Sequence, residues 1–335
     1  MDDRGGRRSA GRLALPLVSL LTTRVSLTTK DTKDTKVIPR TIVFFFVSFV
    51  SLVVAPPATA QIYESIGIRA QGMSGAFVAV SDDATTTWWN PAGLGSGGFF
   101  NAILESDRVD EPASTRARAF AFNVPSLGLS YYRLALNGMR PPAPTGSATT
   151  SREDQGVLTQ FGATVGQSVG PHLILGSTVK LVHALGKTRA DLDTGAMAAL
   201  GRVRLGVAVK NLRKPEFSDG DRRIELLRQV RAGASVRAGS PNRAEIVGAV
   251  DADVTTTPTS VGDERHLATG VEAWLANRSV GLRAGVGMNT IGESRRSGSV
   301  GASVGLRGGF YVDGQLTRGS DQARNGWGFA LRVTF

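Results

Sequence analysis

The chain contains no cysteine and only three histidines, His172, His183 and His266. The first absence excludes disulfides, cysteine-ligated zinc and iron–sulfur clusters. No two histidines stand at metal-ligand spacing, so no metal is expected. Catalytic sequence signals are missing as well. Ser177 and Ser260 lie near His183 and His266, but neither serine sits in a nucleophile elbow. The run Gly93-Leu94-Gly95-Ser96-Gly97-Gly98 has neither the spacing nor the lysine of a phosphate loop. An enzyme is therefore not expected, and neither is a cofactor. Long apolar runs are equally scarce. One stands out, Ile42 to Val54, interrupted only by serine. It is too short for a membrane-spanning helix, which needs roughly 20 apolar residues.

Lys36 and Arg40 precede that run and Ala58-Thr59-Ala60 follows it. A basic region, an apolar core and a small-x-small site together make a secretory signal peptide. Cleavage after Ala60 would leave Gln61 first. Residues 1–40 are polar and low in complexity, with Asp31-Thr32-Lys33 repeated as Asp34-Thr35-Lys36, so residues 1–60 are set apart from the fold. The net charge of +11 divides accordingly. Residues 1–60 hold nine basic and four acidic residues; the remainder holds 30 and 24, a net of +6. These basic residues are scattered singly along the chain and form no stripe, so nucleic acid is not an expected partner.

What the chain has in abundance is glycine, 41 residues, and alternation. Val280, Leu282, Ala284, Val286 and Met288 alternate with Gly281, Arg283, Gly285 and Gly287. Val203 to Lys210, Val230 to Arg237 and Val300 to Arg307 repeat the pattern. Period two means strands with one apolar and one polar face. Glycine and arginine suit a hydrated barrel interior, where the apolar face looks outward to lipid. A bilayer offers no water to unpaired backbone, so such a sheet must close. About fourteen strands are expected, beginning near Gly98, Arg116, Leu127, Gln155, Leu173, Ala190, Arg202, Arg228, Arg243, Arg265, Ser279, Gly298, Phe310 and Asn325. Tight turns alternate with longer loops, the longer ones including Asn137 to Asp154, Arg213 to Leu227 and Thr255 to Glu264. The short link Lys187 to Arg189 breaks the rule. Short turns on one side and loops on the other describe an outer-membrane barrel with its turns in the periplasm. Arg204, Lys210, Arg231, Arg237, Asp251, Asp253, Glu272, Arg283, Arg307, Asp313 and Arg332 are the expected lumen charges, of mixed sign and suited to pairing across the bore. The last strand alternates Trp327, Phe329, Leu331, Val333 and Phe335 with small or polar residues. It resembles the C-terminal signal read by the barrel-assembly machinery, which with outer-membrane lipid is an expected partner. A diderm bacterium is the implied setting.

One long stretch does not alternate, Gly67 to Leu94. It carries Gly72, Gly75, the apolar run Phe77 to Val80, Asp82-Asp83, Trp88-Trp89 and Asn90-Pro91-Ala92. With Arg69-Ala70 and Gly93-Leu94, this stretch resembles the N-terminal region of FadL-type outer-membrane transporters, and equally that of the PorV/PorQ group. Val271 to Trp274 and Leu282 to Gly285 also resemble a strand pair on the PorV side. The resemblance implies an N-terminal hatch folded into a fourteen-stranded barrel. Residues 61–97 would be the hatch and 98–335 the barrel, with Phe77, Trp88 and Trp89 as possible ligand-lining residues. Asn90 and Pro91 suit a structural corner. The transporter side implies passive uptake of small hydrophobic molecules, fatty-acid-like or aromatic. The PorV/PorQ side implies a component of protein secretion or surface attachment, with secretion-system proteins as partners. The outer loops hold few apolar residues, unlike those of the transporters.

Overall fold

The computed structural model describes residues 66–109, 115–136, 156–220, 222–240, 243–259, 262–320 and 325–335. The expected signal peptide, its cleavage site and the first five hatch residues lie outside these.

Fourteen strands close into an antiparallel barrel. They are β1 (Asn101–Val109), β2 (Thr115–Val124), β3 (Leu127–Leu136), β4 (Gly156–Val169), β5 (Leu173–Ala184), β6 (Lys187–Leu200), β7 (Val203–Lys210), β10 (Gln229–Gly239), β11 (Ala244–Asp253), β14 (His266–Leu275), β15 (Val280–Asn289), β16 (Arg296–Gly305), β17 (Phe310–Gly319) and β18 (Gly326–Thr334). Each begins within three residues of its expected position. Among the described residues, two further hairpins stand outside the ring: β8 (Glu216–Asp219) with β9 (Arg222–Glu225), and β12 (Thr257–Thr259) with β13 (Gly262–Glu264). The barrel closes where β1 pairs with β18, Asn101 opposite Thr334. The first strand therefore starts, and the last one ends, on the tight-turn side. Gly170 and Gly201 open two of those turns at φ 67° and 69°. A side chain there would meet open space, so the left-handed backbone alone calls for glycine.

The alternation sets the two faces as expected. Val286, Val300 and Leu331 are 56%, 55% and 54% exposed on the outside, whereas Glu272 and Asp313 are fully buried inside. An apolar outer wall about a polar, packed interior is the membrane-barrel arrangement. In β7 the contrast in exposure is lost, since Val207, Ala208 and Val209 are all buried.

Four expectations need correction. Arg307 is not a lumen residue: β16 ends at Gly305, and Arg307 is exposed in the turn Arg307–Gly309. The link between β5 and β6 is the pair Leu185-Gly186, with φ 48° and 68°. Lys187 to Arg189 belong to β6, because a two-residue turn with both φ positive continues the strand twist directly. The stretches Arg213 to Leu227 and Thr255 to Glu264 are not plain loops but hold the two small hairpins.

Candidate functional site

Residues 66–97 run through the bore and follow the wall in order. Ile68 lies at Gly328 of β18, Gly72 at Gly301 of β16, and Met73 at Gly285 of β15 and Gly270 of β14. Val78 then meets Gly206 of β7, Asn90 meets Gly195 of β6, Pro91 meets Gly176 of β5, and Leu94 meets Gly166 of β4. A methyl group on Gly176, Gly195 or Gly285 would overlap hatch atoms. The inner-face glycines thus serve as a track for the hatch and do more than leave a wide bore.

Short turns dominate the hatch. Ile68–Gln71 is one helical turn, and its start is capped from the wall. Gly67 N–H and Ile68 N–H donate to the two carboxylate oxygens of Glu105 at 2.7 and 3.2 Å. Phe77 and Val78 N–H both donate to Asp251 Oδ2 at 2.7 Å. Buried backbone donors outside regular structure need such partners.

Arg69 is the hub. Its guanidinium forks onto Glu272, Nε to Oε1 at 2.7 Å and Nη2 to Oε2 at 2.5 Å. Nη1 reaches Asp82 at 2.5 Å and Asp83 at 3.0 Å within the hatch. The Phe77 ring lies 5.1 Å from the Arg69 charge centre. Burial works against the Arg69 charge, but Asp82, Glu272 and Asp83 outweigh it and raise its pKa well above the usual value. Burial likewise works to raise the Asp82 carboxyl, yet Arg69 beside it holds it below the ordinary range. From Glu272 the network continues along the wall. Arg283 Nε donates to Glu272 Oε1 at 2.7 Å. Arg283 also donates to Ser303, which donates to Asp313, and Asp313 accepts from Arg332 Nε at 2.9 Å. Nearby, Arg231 pairs with Asp253 at 2.6 Å. Arg237 reaches Glu245 at 3.0 Å and Asp82 at 3.5 Å. His266 Nε2 donates to the Ser74 carbonyl at 3.0 Å.

The later hatch is neutral. Thr86–Trp89 forms a turn, and Pro91–Ser96 a short 3-10 segment. Asn90 is fully buried between them. Its Oδ1 accepts from Ala92 N–H at 3.1 Å, and its Nδ2 donates to the Val78 carbonyl at 2.8 Å. Asn90 is therefore an N-cap and a cross-brace, with Pro91 well placed just after it. Thr87 Oγ1 meets Ser130 at 3.0 Å and Thr164 at 2.6 Å, and Thr164 meets Thr178 at 2.8 Å.

On the long-loop side, a cavity of about 40 Å³ remains between hatch and wall. Ile66, Val78, Trp88, Trp89 and Ala208 line it with Lys210, Gln229, Arg231 and Asp253. Trp89 Nε1 donates to the Ile66 carbonyl at 2.8 Å, and Trp88 packs edge-on to Tyr132. Of the three suggested ligand-lining residues, Trp88 and Trp89 border the cavity. Phe77 does not: it is sealed against Arg69 and the edge of Trp89. Arg204 is half-buried near Asp82. Trp327 and Phe329 stack on the outer face, and Phe335 is exposed at the barrel's base. Ser177 and His183 share the outward parity of β5, away from the lumen.

Sequence reasoning gave no role to Glu105, Asp107 or Glu245, although the same alternation places them inside. Arg69 stands in the hatch motif, but the motif itself assigns it no role. Its importance depends on a partner 203 residues away, which no local pattern encodes.

No family model matches the sequence, and no curated protein matches it. Among solved structures, the chain is similar to the Ralstonia pickettii toluene transporter TbuX, at 13% identity and a TM-score of 0.54, over 81% of this chain and 99% of that one. It is similar to the P. putida toluene transporter TodX at 10% identity and a TM-score of 0.49, over 81% and 99%. The Acinetobacter baumannii outer-membrane protein Omp33 follows at 8% identity and 0.44, over 71% and 98%. At these identities the likeness to TbuX speaks for a shared fold and nothing finer.

Proposed function

We propose that this protein is an outer-membrane channel, closed by its own N-terminal hatch, for passive uptake of small hydrophobic molecules, aromatic ones among them. It would reach that membrane after cleavage near Ala60 and with the help of the barrel-assembly machinery. The observation that carries this reading is the cavity at the boundary of hatch and wall. Two tryptophan rings and three aliphatic side chains line it, together with four polar or charged groups. Aromatic walls with a few convergent polar groups are what small-ligand sites present. The fold shared with a toluene transporter supports the same reading. At about 40 Å³ the cavity has room for roughly three waters, so passage requires the hatch to shift.

That same tightness favours a second reading, a secretion or surface-attachment component that uses the barrel as a scaffold and passes nothing. Liposome uptake of toluene separates the two. The channel reading expects uptake by the intact protein and faster uptake after deletion of residues 66–97. The scaffold reading expects no uptake by the intact protein, together with co-purification of secretion proteins.

A further inference from the structure

We infer that the hairpin β8–β9 is a hinged lid over the outer mouth of the barrel, and that small molecules enter from outside by lifting it. This rests on the channel reading for its purpose, though not for its geometry. The hairpin lies between the ends of β7 and β10, and those ends, Lys210 and Gln229, border the aromatic cavity. Phe217 and Ile224 are direct cross-strand partners on it, so they share one face. Both are buried, as is Leu226, and all three join one continuous apolar cluster. The far side of that cluster is the inward face of β3 to β5 near the same mouth: Tyr132, Leu134, Leu158, Val182 and Ala184. Trp88 and Ile66 of the cavity belong to it too. The hairpin is thereby joined to two of the residues that line the cavity through one apolar cluster at the outer mouth.

Its root and its tip are held differently. At the root, the buried Lys180 contacts Asp191 at 3.3 Å and Asp193 at 2.8 Å. Those carboxylates accept from the Arg213 and Asn211 backbone N–H, and Asn211 Nδ2 bridges the stems to the Leu227 carbonyl at 2.9 Å. Asn211 and Lys214 have φ of 55° and 50°, which marks a sharp, localised bend. At the tip, the exposed Arg223 pairs with Glu216 and Glu225 inside the hairpin itself. The cross-strand ladder and these pairs let the hairpin move as one piece. Phe217, Ile224 and Leu226 are its apolar attachment to the wall. A cohesive unit on a fixed root, seated by apolar contact, has the build of a lid.

Because the chain has no cysteine, single cysteines report seating directly. Phe217→Cys and, as an exposed reference, Ser218→Cys would be reacted with a maleimide in folded protein in liposomes. A seated lid makes Phe217→Cys react severalfold more slowly than Ser218→Cys, and equal rates overturn the lid. Leu226→Cys, also buried, should be protected in the same way; adding Phe217→Ser/Ile224→Ser should abolish its protection, and that double variant alone should raise toluene uptake severalfold with the hatch intact. Unchanged uptake in the double variant, while the hatch-deleted barrel conducts, overturns the entry role. If neither the intact nor the hatch-deleted protein conducts, the channel reading fails, and entry by this lid fails with it. The labelling rates still decide whether the hairpin is seated.

Discussion

The two halves of the hatch are held by opposite means. From Gly67 to Asp83 the contacts with β1, β11 and β14 are largely ionic or charge-assisted: Glu105, Asp251 and Glu272 take hatch donors. From Thr86 to Ser96 the contacts with β3 to β6 are uncharged: hydroxyls, glycine tracks and apolar packing, with Trp88 against Tyr132 and Ala92 against Ile174 and Met197. Desolvated charges are costly unless every partner is present, so the first half is all-or-none. Close packing against glycine degrades by degrees, so the second half is a graded seat. A gate benefits from both, since one half can release while the other keeps its register.

The largest effect expected is at Glu272. Glu272→Ala would leave Arg69 and Arg283 buried without the carboxylate they share, a loss of about 3–5 kcal/mol. Trypsin cleavage after Arg69 in folded protein should then become rapid while the barrel keeps its heat-modifiable migration. If the whole barrel unfolds instead, the two halves are not separable. An outward charge is the contrasting case. Val286→Arg sits on the lipid face of the same region and should cost about 2–4 kcal/mol near the midplane. It should reduce membrane insertion and leave hatch protection unchanged in the fraction that inserts.

Acid should also divide the halves. Asp82 has its pKa lowered by Arg69, so its contribution is present above the ordinary carboxylate range of about 4 and is lost as pH falls through its lower folded value. Protection against amide exchange at Ala70 to Ala76, taken relative to the intrinsic exchange rate at each pH, should therefore fall as the pH drops below about 4. Exchange around Thr87 should not follow, because its partners are hydroxyls.

How far the sequence reveals this arrangement depends on the range of the signal. Strand positions and facing were legible because alternation is local and the lipid imposes it on every strand. Arg283, Asp313 and Arg332 were legible as inward charges for the same reason. The small hairpins escaped because strands of three or four residues carry too little pattern. Arg307 was misplaced because a turn that follows an alternating strand preserves its parity for two residues more. The glycine track was hidden for a deeper reason. Gly176 and Pro91 each look ordinary alone, and only the closed barrel brings them together.

The track itself can be tested at Gly176. Gly176→Val would drive a side chain into the Pro91 carbonyl, for an expected cost of about 1–3 kcal/mol. Gly248→Val is the control, since the nearest atom to a side chain there is a Val236 methyl at 3.8 Å. Urea midpoints should fall for the first and not for the second. Equal effects would mean that the cost is generic to β-branched residues in this wall.

The smallest effect expected is at Thr87, which joins Ser130 and Thr164. Thr87→Val keeps the shape and removes one hydroxyl from a chain that also contains Thr178. Thr164 keeps its bond to Thr178 and only Ser130 loses its hydroxyl partner, so the loss should be about 1 kcal/mol. The stringent test is its combination with Glu272→Ala. If the halves act separately, the two losses add, as they do for sites without shared partners. A double variant markedly worse than the sum would show that the neutral half holds its register only while the charged half is closed, and the hatch would then move as one body.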